Sequence, residues 1–141
     1  MTDVFSRDKR SEIMSKVRGV DTKPELIVRR ILWGMGFNYR LNVKTILGKP
    51  DIVLPRRRKV IFVHGCFWHG HKGCRRSKRP SSNTQFWNAK IGSNILRDRK
   101  YRRALKQQGW KVLTVWECQT KAPERLKRML SKFLIDNERT G

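Results

Sequence analysis

Acidic residues are scarce in this chain of 141 residues, which has 11 Asp+Glu against 34 Lys+Arg and a formal net charge of +23. So large an excess of positive charge opposes compaction through self-repulsion and is typical of proteins that bind a polyanion. Nucleic acid is the leading candidate for that partner. An anionic membrane surface ranks second, because the sequence contains no clear basic amphipathic helix with a continuous apolar face.

Long hydrophobic runs are also missing. No apolar run approaches the length of a membrane span, and no apolar segment of a secretory signal follows Met1. Cysteine is rare, and its odd count of 3 argues against the disulfide framework of a secreted domain. We therefore expect a cytoplasmic, bacterial-type, nucleoid-associated protein without a membrane partner, whose cysteines are reduced thiols or metal ligands.

The hydrophobic residues, 38% of the chain, come in blocks, and the length suits one ordinary domain with a core. We predict a single domain over residues 21–141, preceded by an arm or short helix over residues 1–20. Helix signals are clear in "DTKPELIVRRILWGMGF", where Thr22 is the expected N-cap and Gly34 or Gly36 the end.

The rest of the chain alternates short strand-like runs with helical segments. The predicted strands are 38–42, 51–54, 59–63 and 110–116, and two further helices are predicted over 84–108, capped by Thr84, and over 123–137. This order predicts a mixed α/β layer architecture. The strand that follows the long helix can join the sheet in parallel through a crossover.

The segment "FVHGCFWHGHKGC" contains all three histidines and two of the three cysteines. Cys66, His71 and Cys74 have the spacing C-x4-H-x2-C, and Cys118 follows the last predicted strand. Three thiolates and one imidazole are a common tetrahedral set for structural zinc. We favour such a site over unrelated buried thiols, because it uses every cysteine. His69 competes with His71 for the imidazole position.

A second constellation combines a scarce acid with histidines. Asp51 opens one predicted strand and the next carries Phe62, Val63 and His64, so pairing brings the carboxylate close to the backbone at 62–64. A carboxylate and a carbonyl oxygen suit magnesium, which could activate water against a phosphodiester. His69 is then a candidate base, and Glu25 could reach the metal through water. Each residue also has a purely structural interpretation, but together, in so basic a chain, they favour a nuclease.

The motifs "KPDIV", "IFVHGCFWHGHKGC", "FWNAKIGSNILRDR" and "GWKVLTVWEC", in this order, closely resemble those of the very-short-patch-repair (Vsr) DNA mismatch endonucleases. The resemblance runs from about Arg10 to Cys118. It implies a restriction-endonuclease-like mixed sheet flanked by helices, with structural zinc and catalytic magnesium. The implied activity is nicking of one DNA strand 5′ of the mismatched thymine in a T·G mispair that arises from 5-methylcytosine deamination.

The resemblance also assigns roles to single residues. Asp51 matches the magnesium-binding aspartate, His69 the catalytic histidine and His64 a second histidine of the site. Glu25 looks like the acid near the hydrated metal. Val63 stands where the family often has threonine and would bind magnesium through its backbone carbonyl.

The remaining matches concern zinc and DNA. The zinc set is Cys66, His71, Cys74 and Cys118, which selects His71 over His69. The residues similar to those that wedge into DNA are Phe67, Trp68 and Trp87 from the major groove and Met14, in the DNA-contacting arm, from the minor groove. From their neighbours we expect Phe67 and Trp68 to be exposed, and Phe62 and Trp116 to pack in the core.

Two rival functions remain open at this stage. One is a zinc-stabilised DNA-binding module without catalysis, and the other is a restriction-type nuclease without mismatch preference. For the favoured function we expect a monomer that binds double-stranded DNA with a T·G mismatch and has a functional link to a cytosine-5 DNA methyltransferase. Lysines and arginines within 72–79 and 97–106 are expected to meet phosphates.

Overall fold

A computed structural model describes residues 22–136 of the chain. The elements are α1 (Lys23–Gly34), β1 (Arg40–Leu41), β2 (Ile52–Leu54), β3 (Lys59–His64), α2 (Thr84–Gln107), β4 (Lys111–Trp116) and α3 (Pro123–Asp136). Within the described part, no helix has the length and apolar character needed to cross a membrane. The predicted arm over residues 1–20, with Met14, lies outside the described residues.

The four strands form one mixed sheet in the order β1-β2-β3-β4. The first three strands are antiparallel, and β4 pairs in parallel with β3 after the crossover through α2. The parallel return predicted from the sequence is therefore confirmed. The first strand is shorter than predicted: it spans only Arg40–Leu41, because Asn42 turns into the left-handed region at φ 50.

Two N-caps are predicted from the sequence, and the observed first residues of α1 and α2 show whether each is correct. Thr22 is the N-cap of α1, and its side chain accepts a hydrogen bond from Glu25 N at 3.4 Å. The cap predicted at Thr84 is wrong, because Thr84 is the first residue of α2 and Asn83 precedes it with φ 54. Asparagine tolerates this left-handed conformation better than a β-branched threonine would.

The sheet separates two apolar layers. On one face, α1 and α3 pack against β2, β3 and β4; the buried residues there are Val28, Leu32, Ile52, Leu54, Ile61, Val63, Val115, Leu126, Leu130 and Leu134. The opposite face carries Val53, Val60 and Phe62 with Leu105 of α2. Side chains alternate between the faces of a strand, so Asp51, two residues before Val53, and His64, two after Phe62, belong to the α2 face.

Candidate active site and metal centre

An open cleft of about 850 Å³ lies between α2, the loop over residues 43–49 and the ends of β2 and β3. We call it the active-site cleft. Its acidic and imidazole groups are those of Asp51, Asp98, His64 and His69, and its basic side chains are those of Lys44, Lys49, Arg97 and Arg102. The cleft therefore combines the predicted catalytic groups with positive charge suited to a phosphate backbone.

Asp51 is held at the start of β2 by a hydrogen bond that the backbone N–H of Val63 donates to Oδ2 at 2.7 Å. Burial raises the pKa of Asp51 to about 6, although the Val63 N–H and the positive charges of His69 and Arg29 act to lower it. The carboxylate is thus fixed in position and poorly solvated. A bound cation would offset that poor solvation.

His69 and His64 form a stacked pair, with ring centroids 3.8 Å apart and planes 4° from parallel. His69 Nδ1 lies 2.6 Å from Asp98 Oδ2, a contact that favours the Nδ1–H tautomer and leaves Nε2 as a proton acceptor. Burial and the neighbouring His69 charge lower the pKa of His64 to about 3, so His64 is neutral at neutral pH. Of the two imidazoles, His69 is therefore the one whose ring nitrogen is oriented by a carboxylate and left with a free acceptor.

Asp98 is the functional candidate that the sequence interpretation missed. It lies on α2, 29 residues from His69 in sequence, and no local motif joins the two. One signal could have found it: Asp98 is an isolated acid within the basic stretch "LRDRKYRR" of a chain that has few acids.

Glu25 is fully buried and forms an ion pair with Arg29, one turn further along α1. Its Oε1 is one of the buried side-chain atoms without a hydrogen-bond partner among the described residues. The positive charge of Arg29 acts to lower the pKa of Asp51. Among the described residues that line the cleft itself, Glu25 does not appear.

A second group of side chains, which we call the Cys–His cluster, joins the loop after β3 to the end of β4. The donor atoms of Cys66, His71, Cys74 and Cys118 all lie within 4.8 Å of one another. His71 Nδ1 is 3.6 Å from Cys66 Sγ and 3.5 Å from Cys118 Sγ. Tetrahedral zinc, with bonds of about 2.3 Å to sulfur and 2.0–2.1 Å to nitrogen, needs donors about 3.5–3.8 Å apart. The donor set therefore fits such an ion.

The structure distinguishes between the two candidate histidine ligands. His71 lies with the cysteines, whereas His69 lies with Asp98. Trp116, predicted as a core residue, is only half-buried and stacks its ring on His71 at a centroid distance of 4.1 Å. That prediction is wrong because the end of β4 supports the Cys–His cluster instead of the apolar layer.

Three aromatic side chains form what we call the aromatic cluster beside these groups. The centroid distances are 5.3 Å for Phe67–Trp68, 5.2 Å for Phe67–Trp87 and 5.7 Å for Trp68–Trp87. Phe67 and Trp68 are half-buried and not exposed as predicted, because they pack against Trp87 of α2. Phe62 is buried, as predicted.

Comparison with solved structures concerns the fold alone. The catalytic domain of the homing endonuclease I-Bth0305I matches with a TM-score of 0.58 at 22% sequence identity, over 82% of this chain and 97% of that domain. The likeness confirms the predicted α/β fold of restriction-endonuclease type, with a mixed sheet flanked by helices.

Comparison with protein sequences identifies the family. The family described as DNA mismatch endonuclease Vsr matches residues 2–76. Type II nicking enzyme V.NmeAIP of Neisseria meningitidis is 48% identical over 137 residues, covering 94% of this chain and 97% of that protein. DNA mismatch endonuclease Vsr of Escherichia coli K12 is 41% identical over 126 residues, covering 89% of this chain and 80% of that protein. This chain therefore belongs to the Vsr family of DNA mismatch endonucleases.

Proposed function

We propose that this DNA endonuclease uses magnesium to nick one strand 5′ of the mismatched thymine in a T·G mispair. The observation that carries the proposal is the arrangement in the active-site cleft, where a fixed carboxylate, Asp51, faces a His69–Asp98 pair. Because the chain belongs to a family of endonucleases, we exclude the rival function of a zinc-stabilised DNA-binding module without catalysis. The T·G preference, the monomeric state, the nucleoid location and the link to a cytosine-5 DNA methyltransferase rest on the family resemblance.

Asp51 and the backbone carbonyl of Val63 would hold the magnesium ion. Extending the β2–β3 register places Pro50 opposite Val63, and proline has no N–H to donate to that carbonyl. In an antiparallel pair the N–H and C=O of one residue face the same neighbour, so the carbonyl points towards the Asp51 side. The Val63 side chain packs in the apolar layer with α1, so in this proposal the ligand is the backbone carbonyl and no side-chain hydroxyl takes part.

The side chains of the active-site cleft have separate roles in the proposed reaction. When bound, magnesium neutralises charge on the phosphodiester and activates water. His69 accepts a proton at Nε2 from the water that attacks phosphorus, and Asp98 stabilises the imidazolium that results. The scissile P–O bond breaks as the new P–O bond forms, and the leaving oxygen takes a proton from solvent. His64, neutral because it is buried, can donate a hydrogen bond to a phosphate oxygen without competing for that proton. Lys44, Lys49, Arg97 and Arg102 attract the phosphate backbone.

Zinc is the ion that we propose for the Cys–His cluster, because three thiolates and one imidazole are a common set for it. Burial raises the pKa of the Cys66 thiol to about 12, so a cation is needed to hold it as a thiolate at neutral pH. The ion would tie the loop over residues 66–74 to the end of β4. That loop also carries Phe67 and Trp68, so the same ion would stiffen the aromatic cluster.

A nicking assay tests the proposed function. Duplexes of one sequence, matched or with a single T·G mispair and labelled on either strand, are incubated with the protein in magnesium or in chelator. We expect one cut, on the thymine strand 5′ of the mispair, only with magnesium. Equal cutting of matched and T·G duplexes would support the restriction-type nuclease instead. Cutting in chelator would remove magnesium from the mechanism.

Asp98→Asn is expected to slow nicking by about 10²–10⁴-fold, the usual contribution of general acid–base catalysis. The amide keeps the shape of the carboxylate but lacks the charge that stabilises protonated His69. Single-turnover nicking and DNA binding are measured together, and binding of the T·G duplex should change little. Glu124→Gln, which removes an exposed acid on α3, is the matched control. A nicking rate within a factor of about two of wild type would exclude Asp98 from this role.

Trp68→Ala is expected to weaken binding to T·G DNA much more than binding to matched DNA, so discrimination between the two duplexes falls. Phosphate contacts support binding to any duplex, whereas stacking of an inserted ring depends on how easily a base pair opens. The loss should be on the order of 1–3 kcal/mol for T·G DNA. Trp33→Ala, at an exposed tryptophan of α1, is the control. Equal weakening of both duplexes would make Trp68 a general contact.

A further inference from the structure

Two consecutive loop residues, Trp68 and His69, are each held by the same face of α2. Asn94 donates from Nδ2 to the Trp68 carbonyl at 2.9 Å, and Asp98 Oδ2 lies 2.6 Å from His69 Nδ1. Asn94 and Asp98 are four residues apart, so they lie one turn apart on one side of the helix. A single rigid element therefore sets the positions of both a ring of the aromatic cluster and the catalytic histidine.

Asn94 is unusual for its place in a helix. It is 7% exposed, and it lies in the middle of a helix whose other buried residues are Ile91 and Leu105. Asparagine is a weak helix former, and a buried amide is costly unless it is hydrogen-bonded. Both polar atoms of this amide form hydrogen bonds. Nδ2 donates to the Trp68 carbonyl, and Oδ1 accepts a hydrogen bond from the Arg97 guanidinium at 2.9 Å. The amide is thus oriented as well as buried.

Packing holds the next part of the loop against the same helix. Gly70 has φ +59, and a Cβ built there would lie 2.7 Å from Ile95 Cδ1 and 2.9 Å from Ile91 Cγ2. Real Cβ atoms do not approach other atoms so closely. The loop backbone therefore lies directly on α2, and Asn94 supplies the directional contact within an otherwise apolar interface.

Arg97 extends this connection into the active-site cleft. Its side chain is exposed and lines the cleft together with Asp51 and His69. A guanidinium has five N–H donors, so the bond to Asn94 leaves others for a DNA phosphate. The hydrogen bonds thus run from the cleft through Arg97 and Asn94 to the backbone of Trp68.

We propose that Asn94 is a positioning residue that couples insertion of the aromatic cluster to the alignment of His69. This inference rests on the proposed function, in which Trp68 enters the DNA at the mispair. With the Asn94 bond intact, Trp68 and His69 move with α2 as one unit. Without it, Trp68 can insert while His69 is not aligned with the phosphate. Asn94 would thereby make nicking depend on the mispair.

The test compares Asn94→Ser, which cannot reach the Trp68 carbonyl, with Asn38→Ser, an exposed asparagine outside α2. Single-turnover nicking rates and dissociation constants are measured on T·G and matched duplexes. We expect Asn94→Ser to lower the T·G-to-matched ratio of nicking rates by about ten-fold, the effect of leaving a buried carbonyl unpaired. Affinity for T·G DNA should change less than about three-fold, and Asn38→Ser should behave as wild type.

Two further measurements separate coupling from a merely structural role. In a Trp68→Ala background, Asn94→Ser should have little additional effect on the ratio, because both act through the same ring. Arg97→Ala also removes a phosphate contact, so it should slow nicking of both duplexes, but by releasing the amide it should in addition lower the T·G-to-matched ratio. That change in the ratio remains informative if Asn94→Ser does not fold. Parallel losses on both duplexes, or independent effects of Trp68 and Asn94, would overturn the inference. A wild type that nicks both duplexes equally would instead contradict the proposed function itself.

Discussion

Asp51→Asn is expected to abolish nicking while the protein still binds DNA. The carboxylate supplies the negative charge for magnesium, whereas the amide is nearly isosteric but neutral. Loss of the metal should remove several kcal/mol of transition-state stabilisation, which slows the reaction by about 10³-fold or more. The measurement is single-turnover nicking of a T·G duplex beside a mobility-shift titration with the same DNA.

Magnesium binding gives this prediction an independent measurement. A ligand that binds only the folded protein raises its stability, so magnesium should raise the melting temperature of the wild type. That increase should be absent from Asp51→Asn and present in the control Glu124→Gln, whose acid is exposed on α3. Retained cleavage by Asp51→Asn, or an unchanged response to magnesium, would remove Asp51 from the site.

Cys118→Ser is expected to reduce folding stability before it affects chemistry. Cys118 follows β4, so its bond to the ion would join the loop over residues 66–74 to the sheet. A serine hydroxyl is a poor zinc ligand at neutral pH, and structural zinc binding is itself folding free energy. We expect about one zinc per chain in the wild type, much less in the variant, and a melting temperature lower by on the order of 10 °C.

Elemental analysis and melting curves of the same samples test this prediction. Cys74→Ser is the informative comparison, because it also removes one donor but leaves Cys118 as the link to β4. Both variants should bind zinc more weakly, and Cys118→Ser should lose more stability, because any ion that Cys74→Ser retains still joins the loop to β4. Wild-type protein purified without chelators yet free of zinc would contradict the account and leave the Cys–His cluster without its proposed role.

The prediction of elements succeeded where the deciding interactions are local. The Thr22 cap, the helical segment of α3 and the parallel return of β4 all follow from residues within a few positions of one another or from connection length. The errors arose where contacts with distant residues decide the outcome. Phe67 and Trp68 are half-buried because Trp87, about twenty residues further on in α2, covers them.

The sequence by itself determined which chemical groups are available for metal binding, proton transfer and DNA binding. Three cysteines, three histidines and 11 acids in a chain of charge +23 restrict the metal ligands, the proton acceptors and the class of partner. Motif order then identified the family, which the comparisons confirm. These conclusions need no coordinates, because they depend on which groups are present and on short spacings.

Pairing of those groups was decided only by the tertiary structure. The return of α2 across the sheet brings Asp98 to His69, 29 residues away, and Asn94 to the Trp68 carbonyl, 26 residues away. It also separates His69 from His71, two residues apart, into the active-site cleft and the Cys–His cluster. The physical reason is that hydrogen bonds and metal ligation act over about 2–4 Å. Packing of α2 on the loop after β3 brings the hydrogen-bonding atoms within that range, and pairing of β4 with β3 brings Cys118 to the other donors of the Cys–His cluster.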